Sequence, residues 1–198
     1  RPHKNYVLLK LTHPNPLPDM IPGQFAELHV NHSATTFLRR PISINNVDRE
    51  KNEVWFLIQI VGDGTRQLAE AKPGDVINTL LPLGNGFTIP CNTTEKLLLT
   101  GGGVGIAPML LLSKVLKEKG FKPSILIGAR SAADLMQLEL LQEYGDVYVT
   151  TEDGSQGEKG YLTQHSLLQQ QQFDRIYSCG PKPMMMAVAR FAKSKGVA

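Results

Sequence analysis

Residues 97–109, Leu-Leu-Leu-Thr-Gly-Gly-Gly-Val-Gly-Ile-Ala-Pro-Met, have the make-up of an anion-binding turn. The apolar run predicts a short buried strand ending at Thr100, and Gly101–Gly105 lets the backbone turn without Cβ clashes. Pro108 suits the first turn of the helix that follows, where its missing N–H costs little. The unpaired N–H groups of that turn favour an anion above the strand end, which makes a candidate diphosphate site. Gly101, Gly103 and Gly105 are spaced G-x-G-x-G, and no G-K-S/T follows, so the P-loop reading fails. A tight strand-to-helix turn without a ligand is the competing reading.

Arg39-Arg40-Pro41-Ile42-Ser43 is a second candidate. Arginine offers a permanently charged planar fork suited to phosphate, and Pro41 stiffens the backbone just after it. Along a strand Arg40 and Ile42 share one face and Pro41 and Ser43 the other, yet a ligand on the strand edge reaches both the fork and the Ser43 hydroxyl. A surface arginine pair is the plain alternative. Gly62-Asp63-Gly64-Thr65 opens a helical stretch, either as a further diphosphate site or as simple N-capping by Thr65. Cys179-Gly180-Pro181 ends a strand and opens a helix, where a neutral thiol could sit beside a reacting carbon or simply be buried. Thr151-Glu152-Asp153-Gly154 follows a strand, its carboxylates serving ribose or a turn. Gly84-Asn85-Gly86-Phe87 reads as a hairpin turn with Phe87 in the core, and Met184–Met186 as helix packing. His29 and His32 read as surface residues, two histidines making a poor metal site, so no metal ligands are expected.

The elements that must position these groups fall into two rhythms. Over residues 1–90, strands at Tyr6–Thr12, Gln24–Val30, Pro41–Asn45, Glu53–Val61 and Asp75–Leu81 are punctuated by Pro and Gly, with one helix at Gly64–Ala71. That pattern predicts a small antiparallel barrel. Over 91–198, strands at Lys96–Thr100, Ser124–Gly128, Val147–Thr150 and Arg175–Cys179 alternate with helices at Val104–Lys119, Asp134–Tyr144, Thr163–Gln170 and Pro183–Lys195. Such βα units predict a doubly wound parallel sheet with ligands at the strands' carboxyl ends. The polar stretch Ile89–Thr94 joins the halves, and Gln169–Gln172 reads as a helix end.

Bulk properties exclude several classes. With 41% apolar and 20% charged residues in 198, the chain has the composition of a globular protein with a sizeable core. A net charge of +3, with Lys114, Lys117 and Lys119 on one solvated helix face, makes no nucleic-acid stripe. No apolar run spans a membrane and no signal sequence is visible, so the cytoplasm is the expected compartment. Cys91 and Cys179 form neither a disulfide framework nor a metal-ligand spacing.

The order of these motifs resembles the ferredoxin-reductase-like flavoprotein superfamily over almost the whole chain. Within it, Arg40–Ser43, Pro82–Phe87 and Thr151–Ser155 resemble the electron-transfer subunits of NAD-linked, class 1B dihydroorotate dehydrogenases. The electron-transfer subunits of sulfhydrogenases and of ferredoxin:NADP reductases share much of the pattern and stay open as alternatives. The resemblance implies a six-stranded FAD-binding barrel followed by an NAD-binding α/β domain. It implies that Arg40, Pro41, Ile42 and Ser43 line FAD, with Arg40 on phosphate and Ser43 near the reactive flavin nitrogen. Leu57, Ile58 and Gln59 would follow the flavin, and Gly64 and Thr65 would hold its diphosphate. Gly102, Gly103, Val104, Gly105, Ile106, Ala107 and Pro108, with Cys179, Gly180 and Pro181, would hold NAD(H), Cys179 lying near the carbon that carries the hydride.

By the same resemblance electrons pass from an FMN-containing catalytic subunit, through a two-iron, two-sulfur cluster, to FAD and then NAD, in a heterotetramer serving pyrimidine biosynthesis. The protein's task is alignment of cofactors, so Cys179 and Ser43 are the expected catalytic positions and no acid–base pair is needed. The cluster needs four thiolates. With two cysteines and an end at Ala198, the chain is expected to be a trimmed piece whose cluster segment lay further on. Residues before Arg1 are expected to be missing too. Arg130 and Ser131, after the second α/β strand, could meet a 2′-phosphate or be surface residues, while the resemblance favours NAD. A nucleotide-binding interaction module without turnover is the non-enzymatic alternative.

Overall fold

The computed structural model describes residues 5–31, 33 and 35–197. His32, read above with His29, lies outside them. The chain divides into two compact units, Arg1–Phe87 and Thr88–Ala198. Thr88 goes with the second because its carbonyl accepts a hydrogen bond from the Tyr177 hydroxyl at 2.7 Å.

Among the described residues, the first unit holds six strands in two three-stranded antiparallel sheets. One sheet runs in the order β1 (Tyr6–Thr12), β5 (Glu53–Gln59), β4 (Asn46–Asp48). The other runs β3 (Arg40–Ser43), β2 (Phe25–Leu28), β6 (Thr79–Leu83). Alternation places Val54, Phe56 and Ile58 of β5 in the core with Ala26, Leu28 and Ile44. Each large apolar side chain buried this way is worth about 1.5–3 kcal/mol before entropy is charged against it. On the outer face Lys10 lies opposite Trp55 and sets its ammonium 3.8 Å above the indole ring.

Two expected strands differ. Pro41–Asn45 is not one strand: the chain leaves the second sheet at Ile44, whose N–H donates to Gln24 O, and joins the first at Asn45, whose N–H donates to Trp55 O. Both residues are fully buried, and β4 follows as the sixth strand. The strand expected at Asp75–Leu81 starts later, because Asp75 closes a turn on Lys72 through both backbone and carboxylate. The helix of this unit, α1, covers Asp63–Ala69.

The second unit is a five-stranded parallel sheet ordered β10 (Glu158–Lys159), β9 (Asp146–Thr151), β8 (Ser124–Ala129), β7 (Leu97–Gly102), β11 (Arg175–Cys179). Every residue of β7 is buried, as a parallel strand covered on both faces requires. Leu98 and Leu126 face a cluster with Leu162, Leu167, Leu168, Phe173 and Val188, which brings in α4 (Leu167–Gln170) and α5 (Lys182–Lys195). Leu97, Leu99, Ile125 and Ile127 take the opposite face, and α2 (Ala107–Glu118) packs against α3 (Leu138–Gln142). The chain steps outward from β7 to β10 and returns to β11 on β7's other side, so the direction of winding reverses there.

Helices expected at Asp134–Tyr144 and Thr163–Gln170 are each broken into a 3₁₀ turn and a short α-helix. Gln137 adopts the left-handed conformation, φ 56°, between Ala132–Asp134 and α3. In the other, the His165 ring accepts from Leu167 N–H at 3.1 Å while the Glu158 carboxylate accepts from Ser166 N–H at 2.8 Å. Strand β10 was unforeseen; it pairs in parallel with β9, Glu158 beside Thr150 and Lys159 beside Thr151. Gln170 closes α4, as the polyglutamine run implied. Lys117 stays exposed, as expected, and its ammonium donates to Glu143 O beyond α3. Met184 packs on the α5 cluster, whereas Met185 and Met186 remain 38% and 46% exposed and do not pack as expected. No helix among the described residues is long and apolar enough to cross a membrane.

Candidate functional site

In the second unit β7 delivers the chain to Gly102, a 3₁₀ turn covers Gly103–Ile106, and α2 starts at Ala107 with Pro108 in its first turn. Gly103 sits at φ +54°, a conformation costly for other residues. Gly105 lies flush against the end of β11: a Cβ there would stand 2.3 Å from Cys179 O and 2.6 Å from Gly180 Cα. A Cβ on Gly102 would stand 2.4 Å from Met184 Sδ and 3.2 Å from Pro181 Cδ. The glycine turn and Cys179-Gly180-Pro181, distant in sequence, therefore form one clasp at the carboxyl ends of β7 and β11. At 102 and 105 the missing side chains serve this protein–protein approach directly. The turn has no capping side chain and no acidic residue, so the positive potential that a diphosphate needs is not neutralised there. Beside Cys179 the buried Ser178 hydroxyl lacks a hydrogen-bond partner among the described residues.

Cys179 is half-buried, and burial pushes its thiol up while the Gly180 N–H offsets part of the rise. It is a neutral thiol at pH 7. The folded chain thus holds this proton more tightly than the unfolded one. The stability it contributes is whole below the ordinary value of 9.0 and is lost as pH climbs through the raised value. Iodoacetamide is expected to modify exposed Cys91 several-fold faster than Cys179 at pH 8, the gap narrowing at higher pH. Peptide mass mapping of a time course checks this, and equal rates at pH 8 would contradict it.

In the first unit Arg40 and Gly64 come together. A Cβ on Gly64 would stand 3.2 Å from Arg40 Cδ and 3.0 Å from Thr36 Cγ2, so the arginine stem crosses the glycine face. Arg39 is committed elsewhere, donating to Asn78 O at 2.9 Å and Asn78 Oδ1 at 2.7 Å. Arg40 donates through Nε to Arg39 O. Gly62, not Thr65, is the N-cap of α1: Thr65 sits at the third helical position, and its hydroxyl accepts from Val61 and Gly62 N–H and donates to Gly62 O, reaching back to the cap. Pro41 is exposed, Ile42 and Ser43 are half-buried, and Ser43 pairs with Phe25 on β2. Leu57 and Ile58 are both buried, on opposite faces of β5, leaving Gln59 half-buried at its end. Pairing of β4 with β5 stops at Trp55, short of Leu57–Gln59.

Other candidates take structural roles. Gly84–Phe87 is not a hairpin turn; it closes on Ile21–Gly23, with Phe87 N–H donating to Pro22 O and the half-buried ring lying over Gly23. Asp153 spends its carboxylate on Ser155 N–H and Oγ, which holds it below the usual carboxylate range. His29 is exposed and bonds Asn31, and the described residues contain no group of three metal-ligating side chains. Thr36 beside Gly64 was missed, since it belongs to no recognisable motif.

Residues 99–190 match the oxidoreductase NAD-binding domain family, a span that includes both halves of the clasp. An electron transfer subunit of dihydroorotate dehydrogenase B (NAD(+)) from Bacillus velezensis is 44% identical over 168 residues, 84% of this chain and 66% of that protein. One from Fusobacterium nucleatum is 37% identical over 180 residues, 88% of this chain and 70% of its own. The chain belongs to this family of electron transfer subunits. It spans about two thirds of the length of the curated relatives it matches. Among solved structures, an NADH-dependent reduced ferredoxin-NADP oxidoreductase superposes with a TM-score of 0.86 at 29% identity, covering 98% of this chain and 70% of that one. The fold is ferredoxin-reductase-like, in line with the order of motifs.

Proposed function

We propose that this chain is the flavin- and nicotinamide-binding part of an electron transfer subunit that moves electrons between a catalytic dihydroorotate dehydrogenase subunit and NAD, in pyrimidine biosynthesis. Family membership supports the assignment, and the clasp of Gly102–Gly105 with Cys179–Pro181 is the observation that carries it. Bound FAD supplies a centre that takes electrons singly and releases a pair as hydride. Arg40 would hold its phosphate beside Gly64, Ser43 would lie near the reactive nitrogen, and the edge of Leu57–Gln59 turned away from β1 would run along it. Thr65 would contribute backbone rather than hydroxyl, and Ile58 no side chain. In the second unit the N–H groups of Gly102–Pro108 would take the NAD diphosphate, while the neutral Cys179 thiol would pack beside the nicotinamide and keep water away.

The partner would be an FMN-containing catalytic chain in a cytoplasmic heterotetramer. A two-iron, two-sulfur cluster needs four thiolates, and the two cysteines here cannot furnish them. Under anaerobic conditions the flavin-reconstituted chain is expected to be yellow and to bleach on addition of NADH. Cys179→Ala should keep its flavin and bleach about tenfold more slowly, the loss expected when a packed first-contact group is removed. Failure to take up flavin at all would instead leave a nucleotide-binding interaction module. Unchanged bleaching in the variant would make Cys179 a packing residue.

A further inference from the structure

We propose that Met184 is an oxidation site: conversion of its thioether to the sulfoxide by hydrogen peroxide loosens the clasp and weakens dinucleotide binding. The proposal rests on the dinucleotide reading of the clasp and places that binding under redox control. Of the six methionines in the chain, Met20, Met109 and Met136 are buried. The three that an oxidant can reach, Met184, Met185 and Met186, follow one another in the first turns of α5, the helix that opens from Pro181. Met185 and Met186 point outward. Met184 turns in, half-buried, and packs on the cluster built around Leu98, Leu167 and Val188.

The same side chain fills the gap left by two clasp glycines. A Cβ on Gly102 would stand 2.4 Å from Met184 Sδ. One on Gly180 would stand 2.6 Å from Met184 Cε, 3.1 Å from its Sδ and 3.1 Å from Gly102 N. No further atom fits between the sulfur and either backbone. In the reaction the peroxide O–O bond breaks as one oxygen bonds to Sδ; the sulfur loses two electrons and the other oxygen leaves as water. The product is bulkier, polar and in need of a hydrogen-bond donor, which the leucine-rich cluster lacks. Either the oxygen stays and presses on Gly102 and Gly180, or the side chain swings out and leaves a void behind them. Both outcomes shift the glycine turn against Cys179-Gly180-Pro181. Met185 and Met186 have no such neighbours to disturb, so they act as internal controls on the same helix.

The test needs neither flavin nor turnover. The 198-residue chain is treated with graded hydrogen peroxide, then with thiol to reverse sulfenic acid at cysteine. Peptide mass mapping scores each methionine, and calorimetry measures ADP-ribose affinity. Met185 and Met186 are expected to oxidise first, with affinity held within about twofold. Affinity should then fall in step with the Met184 sulfoxide, at least about tenfold when conversion is complete. Methionine sulfoxide reductases of both stereospecificities should restore it. Met184→Leu, which has no sulfur to oxidise, should keep its own starting affinity through the same treatment. Wild-type affinity in chain fully oxidised at Met184 would overturn the proposal. So would Met184 that stays unoxidised once Met185 and Met186 are converted, or a loss that the reductases do not reverse. Where Met184→Leu does not fold, the reductase arm decides alone. If untreated chain binds no ADP-ribose, the dinucleotide reading fails and the proposal falls with it.

Discussion

Arg40→Ala is expected to strip FAD from the chain while leaving its fold in place. A guanidinium on a phosphate contributes about 1.5–3 kcal/mol, so affinity should drop roughly ten- to a hundred-fold. The cost to the first unit is smaller, because Arg40 is half-buried at the end of a strand and loses mainly the packing of its stem across Gly64. Arg39→Ala provides the contrast. Its fork is engaged with Asn78, so its loss should lower the melting temperature a few degrees and leave flavin occupancy near wild type. Absorbance near the flavin band after gel filtration, read beside far-ultraviolet circular dichroism, measures both. Arg40→Lys should fall between, keeping the charge but not the planar fork. Full flavin occupancy in Arg40→Ala would remove the phosphate role from Arg40 and from its meeting with Gly64.

What the sequence discloses about this molecule is graded by how local the cause is. The buried run Leu97–Thr100 and the β-to-α change of rhythm near Glu95 follow from side-chain chemistry within a few residues, and both elements form as expected. The two sheets of the first unit were harder to see. Nothing local in Ile42-Ser43-Ile44-Asn45-Asn46 announces that the chain changes sheet; the change depends on partners in Gln24 and Trp55. The break at Gln137 and the divided 162–170 segment have the same origin, in a left-handed residue and in the His165–Glu158–Ser166 contacts.

The candidate site divides likewise. Gly105 and Cys179 could be singled out because both follow predicted strands, where a wound sheet gathers its ligands, but their contact is a tertiary fact. Thr65 carried two readings, and its hydroxyl makes three hydrogen bonds to its own turn from inside the helix, with Gly62 as the cap, an arrangement that spacing alone does not disclose.

The largest effect should come from one methyl group, in Gly105→Ala. Its Cβ would stand 2.3 Å from Cys179 O, 2.5 Å from Cys179 C and 2.6 Å from Gly180 Cα, all backbone atoms that no rotamer change can move aside. The backbone angles at 105 are not in the left-handed region, so the substitution introduces no dihedral strain of its own. The whole cost is steric, and it must be met by driving the glycine turn away from β11. Overpacking of this kind costs about 1–3 kcal/mol, and separation of the clasp by even about 1 Å is enough to slow a positioned reaction a hundred-fold. NADH should therefore bleach the flavin of Gly105→Ala at least about a hundred-fold more slowly. Dithionite should still reduce it fully, because the residues assigned to FAD lie in the first unit. Gly62→Ala, whose Cβ would meet nothing within 4 Å, serves as the control and should behave as wild type. Stopped-flow reduction of the three proteins decides the matter. Wild-type kinetics in Gly105→Ala would mean that NADH delivers its hydride without the Gly105–Cys179 contact, and the assignment of that clasp to the nicotinamide would be lost.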